Sequence, residues 1–108
     1  MLDKLKEELY IALKRDFPSA KVEVDERRGI VIEARAHINQ HIFIEVYANG
    51  MTGKRSFALI SEGNRIAGYD NYRFWHCHPH GATNEHLPCD EPQIDSVISD
   101  FKEILKSL

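Results

Sequence analysis

The stretch IVIEARAHINQHIFIEVYA, residues 30–48, alternates apolar and polar side chains twice around a short polar interruption. Ile30, Ile32, Ala34 and Ala36 fall on one side of an extended chain, and Glu33, Arg35 and His37 on the other. After an Asn39-Gln40 connection, Ile42, Ile44, Val46 and Ala48 repeat the apolar side opposite Phe43, Glu45 and Tyr47. A period of two belongs to a half-buried strand, and so short a link makes the two strands antiparallel neighbours.

The same period continues outward. KVEVDE (21–26) alternates, and Arg27-Arg28-Gly29 then forms a hairpin tip. Downstream, Asn49-Gly50 carries a strong hairpin signal, RSFALIS (55–61) reads as a strand, EGN as a tight turn and RIAGYD (65–70) as a further strand.

At both ends the period becomes helical. Leu2, Leu5, Leu9, Ala12 and Leu13 share one helical face before Pro18 ends the segment. Ile94, Val97, Ile98, Phe101, Ile104, Leu105 and Leu108 form a second stripe, with Asp90 as the expected N-cap and Pro92 in the first turn. The expected fold is therefore α+β: an antiparallel meander of about five strands, with an N-terminal and a C-terminal helix packed on one face. Residues 1–108 are read as a single two-layer domain whose other face, bearing Glu33, Arg35, Glu45 and Tyr47, meets water or a partner. Residues 70–92 form the one long irregular segment, and such loops in small domains are usually functional.

Charge narrows the partners. Residues 21–83 carry eight Lys/Arg against seven Asp/Glu, and residues 84–108 carry two against six. That distribution excludes a nonspecific nucleic-acid binder with a large basic excess, so any RNA contact is local. The acidic C-terminal segment suits a basic protein partner. Nothing resembles a signal peptide or a membrane span, and two cysteines beside many histidines fit a reducing compartment. The expectation is a cytoplasmic protein without membrane contact, whose exposed sheet edges would permit a homodimer.

The chemistry lies in YDNYRFWHCHPHG, residues 69–81, and in HLPC, residues 86–89. Four of the six histidines and both cysteines fall within these fourteen residues, 76–89. Two readings follow. In the first, His76 and His78 project to one side of an extended chain and, with His86 and Cys89, ligate a metal such as zinc. A variant of it notes that His76-x-His78-Pro79 followed by His86-x-x-Cys89 resembles the JAMM metalloprotease signature. Cys89 there takes the place of an aspartate and His86 that of a serine, with Glu33 or Glu45 as upstream glutamate.

The second reading needs no cofactor. His76 and His78 act as general base and acid on a phosphodiester, Arg73 stabilises the phosphorane charge, and Asp70 orients an imidazole. Tyr69, Phe74 and Trp75 then offer faces to unpaired bases. Bland explanations stand beside both: Asp70-Asn71 is an ordinary turn, Phe74 and Trp75 plug the sheet, and Cys77 and Cys89 are small core residues.

Arg65-x-x-x-Tyr69-Asp70-Asn71, then His76-x-His78, then a closing helix with Asp100-Phe101, resembles TumE proteins, the toxin components of toxin–antitoxin modules. The resemblance covers about residues 42–104. It implies a toxin acting on RNA, a small DNA-binding antitoxin as cognate partner, and Tyr69, Asp70, Asn71, His76 and His78 as site residues. Trp75 in the spacer, and the added Cys77, His80, His86 and Cys89, depart from that pattern and leave room for a zinc-holding offshoot.

Overall fold

The computed structural model describes residues 2–108 and has an α+β fold. A helix α1 (Asp3–Asp16) precedes strands β1 (Lys21–Arg27), β2 (Val31–His37), β3 (Ile42–Asn49), β4 (Arg55–Ser61) and β5 (Asn64–Asp70). Two short strands follow, β6 (His76–His78) and β7 (Leu87–Pro88), before helix α2 (Ile94–Lys106). All seven strands pair antiparallel in sequence order. The expected five-strand meander thus gains two strands from the segment read as irregular. Their three and two residues are too short to announce themselves by periodicity.

Two of the hairpins turn as their sequences ask. Glu62 and Gly63 both take positive φ and give a two-residue turn whose twist matches the flanking strands, and Arg28 and Gly29, also at positive φ, turn the three-residue link between Arg27 and Val31. Asn49-Gly50 does not make such a turn. The side chain of Asn49 instead accepts the N–H groups of Met51 and Thr52, which widens the connection into a loop reaching Lys54.

One sheet face carries Ile32, Ala34, Ala36, Ile44, Val46, Ala48, Phe57, Leu59 and Ala67, all buried. Both helices cover that face with Leu5, Leu9, Leu13, Val97, Ile98 and Phe101. Helix α2 begins at Ile94 with Gln93 in extended conformation before it, so Asp90 is not its cap. The chain is still strand-like at Cys89, whose N–H donates to the Trp75 carbonyl, and a residue before proline avoids helical dihedrals, which delays the helix past Pro92. No described helix is long and apolar enough to cross a membrane.

Polar groups tie the helices to each other. The guanidinium of Arg15 bonds Asp16, Asp95 and the Ser99 hydroxyl, and Ser99 donates to Asp16. Asp16 is only 10% exposed at its side chain. The Arg15 hydrogen bond, more than burial opposes it, holds the Asp16 carboxyl below its ordinary range. A depressed carboxyl stabilises the fold above the unfolded-state pKa of about 3.9 and ceases to do so as pH falls through the folded value. Asp16→Asn is therefore expected to lower unfolding free energy by about 1 kcal/mol at pH 7, with the deficit shrinking as pH falls below the unfolded-state value of about 3.9, as read by urea denaturation across that range.

Candidate metal centre on the open face of the sheet

The face away from the helices carries the site. Cross-strand register puts Tyr47, Ser56, Asp70 and His76 in one row, and Glu45, Ala58, Gly68 and His78 in the next. His76 and His78 stand on the same side of β6, as their spacing of two requires. They are 5% and 2% exposed, so both imidazoles are buried although they lie on the uncovered face. The turn from Pro79 to His86 folds back and brings a third imidazole, His86, against them. Ring centroids lie 5.1 Å apart for His76 and His78, 5.0 Å for His76 and His86, and 4.6 Å for His78 and His86. One ring nitrogen from each of the three lies within 4.8 Å of the others, and the group could hold a metal ion.

The outward-facing ring atoms fix the chemistry. His76 Nδ1 lies 3.1 Å from the Phe74 carbonyl, and His78 Nδ1 lies 3.1 Å from the Thr83 carbonyl. A carbonyl oxygen only accepts, so His76 Nδ1 carries a proton and donates, whereas His78 Nδ1 stands between an acceptor, the Thr83 carbonyl, and a donor, Arg65 Nη2 at 3.2 Å, which pull its tautomer in opposite directions. That leaves the Nε2 atoms, which face the two oxygens of one carboxylate: His76 Nε2 to Asp70 Oδ1 at 2.9 Å, and His78 Nε2 to Asp70 Oδ2 at 3.0 Å. Two lone pairs facing a carboxylate repel, so each gap must be bridged by a proton or by a shared cation. Tying the distal ring nitrogen to a carbonyl is also how metal-binding histidines are commonly oriented. Burial alone would raise the Asp70 carboxyl, but the His78 hydrogen bond, the Tyr72 N–H and the neighbouring imidazoles outweigh it and hold the carboxyl low.

Arg65 completes the surroundings. Its Nη2 lies 3.3 Å from the Thr83 carbonyl and 3.2 Å from His78 Nδ1. Simple alternation would put Arg65 on the core side with Ala67 and Tyr69. The register shift between Leu59 and Ile60 makes Ile66 an extra residue, which turns Arg65 to the outer face. Gly68 leaves room for it, since a Cβ there would lie 2.9 Å from the Phe57 carbonyl oxygen and 3.3 Å from Arg65 Cδ.

The remaining site candidates from the sequence divide. Asp70, His76, His78 and His86 come together. Cys89 does not join them: it lies by Cys77 on the helix side, where burial first, and then Cys77, push its thiol pKa up. Its expected role as a ligand fails because residues 75, 77, 87 and 89 share the face opposite to 76 and 78. Tyr69 donates to Asp100 at 2.9 Å and packs on Phe101, pinning α2 to the sheet. Burial, then the Asp100 bond, drives its phenol above the usual range. Trp75 stacks on Phe57 at 6.4 Å and is a core residue. Asn71 accepts the Arg55 N–H at 2.8 Å and donates to the Gly53 carbonyl at 2.8 Å, so it latches two loops. Arg73 lies over the Tyr72 ring and makes no ion pair or hydrogen bond with the histidines among the described residues. The cation at the centre is Arg65, a role legible only once the bulge at Ile66 is known. Glu45 stands three strands from His78 in its row, and both Glu33 and Glu45 are engaged by arginines, so neither serves as the JAMM-like glutamate.

Gly68→Ala is expected to cost about 1–3 kcal/mol of stability in denaturant unfolding, because the added methyl meets backbone and not a flexible chain end. An unchanged midpoint would mean that the close approach of β4, Arg65 and β5 is not maintained. No family model, curated protein or solved structure matches the chain.

Proposed function

We propose that the chain is a toxin of a toxin–antitoxin module, as its likeness to TumE proteins implies, and that its working centre is a divalent-metal site. His76, His78 and His86 supply the imidazoles and Asp70 the carboxylate. The observation that carries the metal is the meeting of three imidazoles, each with a ring nitrogen within 4.8 Å of the others, beside a carboxylate that faces two of the Nε2 atoms. A cation held there would take a lone pair from each of the three imidazoles, with the Asp70 carboxylate beside it. Nitrogen and oxygen donors without sulfur suit zinc among other divalent ions; ligand atoms bonded to zinc at about 2.0–2.1 Å stand roughly 3.3 Å apart, against 2.9 and 3.0 Å for the two Nε2–Asp70 pairs and a limit of 4.8 Å among the imidazole nitrogens, which would draw together around an ion. Zinc held there would supply Lewis-acid chemistry toward a phosphoryl oxygen once Asp70 yields its place, because three imidazoles and a carboxylate together fill a four-coordinate site. The chain's own part is to orient the His76 and His78 rings, to fasten the 79–86 turn through Arg65 and Thr83, and to shield two of the three rings from water.

The antitoxin is a separate small protein of DNA-binding type in this reading, and the action on RNA is local to the centre. A second reading keeps a specific observation of its own. Asp70 bonded to His78 Nε2 at 3.0 Å is the carboxylate–imidazole contact of an oriented general base, and metal-free cleavage of RNA by this pair would require an Nδ1 to leave its carbonyl partner and become the working atom.

Two measurements on the same protein separate these readings. Purified protein is expected to hold about one equivalent of zinc, and chelation is expected to lower its melting temperature. His86→Ala, at an exposed position, is expected to keep the fold, weaken zinc binding at least tenfold and relieve growth arrest in a bacterial host. Growth arrest that persists in this variant, with no metal in the wild type, favours the metal-free pair. A metal-loaded protein that never slows growth removes the toxin assignment and leaves a zinc-fastened interaction module.

A further inference from the structure

The loop between β5 and β6 exposes an unusual trio. Tyr72 is 63% and Phe74 56% exposed, and Arg73 between them adopts a left-handed conformation with φ of 69°. A non-glycine residue held there is strained, and such strain concentrates at functional sites. The trio borders the histidine centre. The Phe74 ring stands edge-on to His76 at 5.7 Å, its carbonyl accepts from His76, and the Tyr72 N–H caps Asp70 Oδ1 at 3.1 Å. These two rings are available for contact, whereas Tyr69 and Trp75 are spent in the core.

Charge points to the occupant. On the same sheet face, Arg27 and Arg35 are neutralised by Glu33 and Glu45. Arg73 and Lys54 have no carboxylate within ion-pairing distance among the described residues; their charges rest over the rings of Tyr72 and Tyr47. Asn71 holds Gly53 and Arg55, the neighbours of Lys54, to the residue preceding Tyr72. Two cations without carboxylate partners and two exposed rings therefore lie on two segments that Asn71 joins at the rim of the centre. Cations of this kind suit a polyanion, and free ring faces suit flat groups not already stacked on one another.

We propose that the Tyr72-Arg73-Phe74 tip with Lys54 is a docking platform for single-stranded nucleic acid, whose phosphates meet the two cations and whose unpaired bases stack on the two rings. The proposal rests on the nucleic-acid-directed reading above and names the residues that deliver the strand to the histidines. Stacking of this kind tolerates any sequence, and a base-paired duplex cannot use it because its bases already stack on each other. A chain with net charge −3 need not be basic overall to work this way, because the contact is confined to one rim.

Fluorescence anisotropy tests the platform, using the full chain loaded with zinc and a labelled twelve-nucleotide single-stranded RNA of mixed sequence. The same sequence as single-stranded DNA and as duplex RNA forms the other arms. Single strands of either sugar are expected to bind more tightly than the duplex, and affinity is expected to fall as salt rises. Tyr72→Ala and Phe74→Ala are each expected to weaken binding roughly tenfold. The double variant Lys54→Ala, Arg73→Ala is expected to flatten the salt dependence. Zinc content and circular dichroism, measured on the same samples, are expected to stay unchanged, so failure of the platform and failure of the metal centre give different results. Equal affinity for duplex and single strands, or aromatic variants that bind as the wild type does, would overturn the proposal. So would an absence of RNA binding together with variants that lose a co-expressed antitoxin, which would assign the tip to a protein partner.

Discussion

One carboxylate between two buried imidazoles governs the structure around it. Asp70 ends β5, and His76 and His78 stand on β6 beside it, so the three meet only if the β5–β6 register is held as it is. Each oxygen of Asp70 faces one of these imidazoles, and Oδ1 also accepts the Tyr72 N–H. The distal nitrogens are tied to the carbonyls of Phe74 and Thr83, which prevents the rings from turning to relieve the contact. A proton or a cation must therefore reside in each gap, and the geometry of the 70–88 segment follows from that requirement.

The fold provides this register from the opposite face. Tyr69 and Trp75 flank Asp70 and the histidines in sequence but point toward the helices, where they meet Asp100, Phe101 and Phe57. Strand alternation converts those core anchors into positions for the outward side chains: fixing residues 69, 75 and 77 inside fixes 70, 76 and 78 outside. Because both helices lie on the inner face, the outer face stays open for the turn at residues 79–86 to cover two of the imidazoles. The same openness leaves Tyr72 and Phe74 uncovered.

Much of this was legible in the chain. Alternation at residues 30–48 revealed the sheet and its core side, and the helical stripes revealed both helices and the face they cover. The two-residue spacing of His76 and His78 placed them on one side of an extended segment. What could not be read was set by distant contacts. The strands β6 and β7 are shorter than any pattern can show. The bulge at Ile66 turns Arg65 outward against the simple period. Cys89 has a ligand's spacing from His86 but sits on the other side of the sheet, since three residues along an extended chain reverse the facing. Tyr69, Asn71 and Trp75 lie next to site residues in sequence, and that proximity suggested substrate contact where the structure uses them as anchors.

Anomalous diffraction at the zinc edge from crystals of the zinc-loaded protein tests the central claim most directly. A single strong peak about 2.0–2.2 Å from His76 Nε2, His78 Nε2 and a ring nitrogen of His86 is the expected result. An empty cluster with zinc bound instead at Cys77 and Cys89, or no ordered zinc at all, would contradict it.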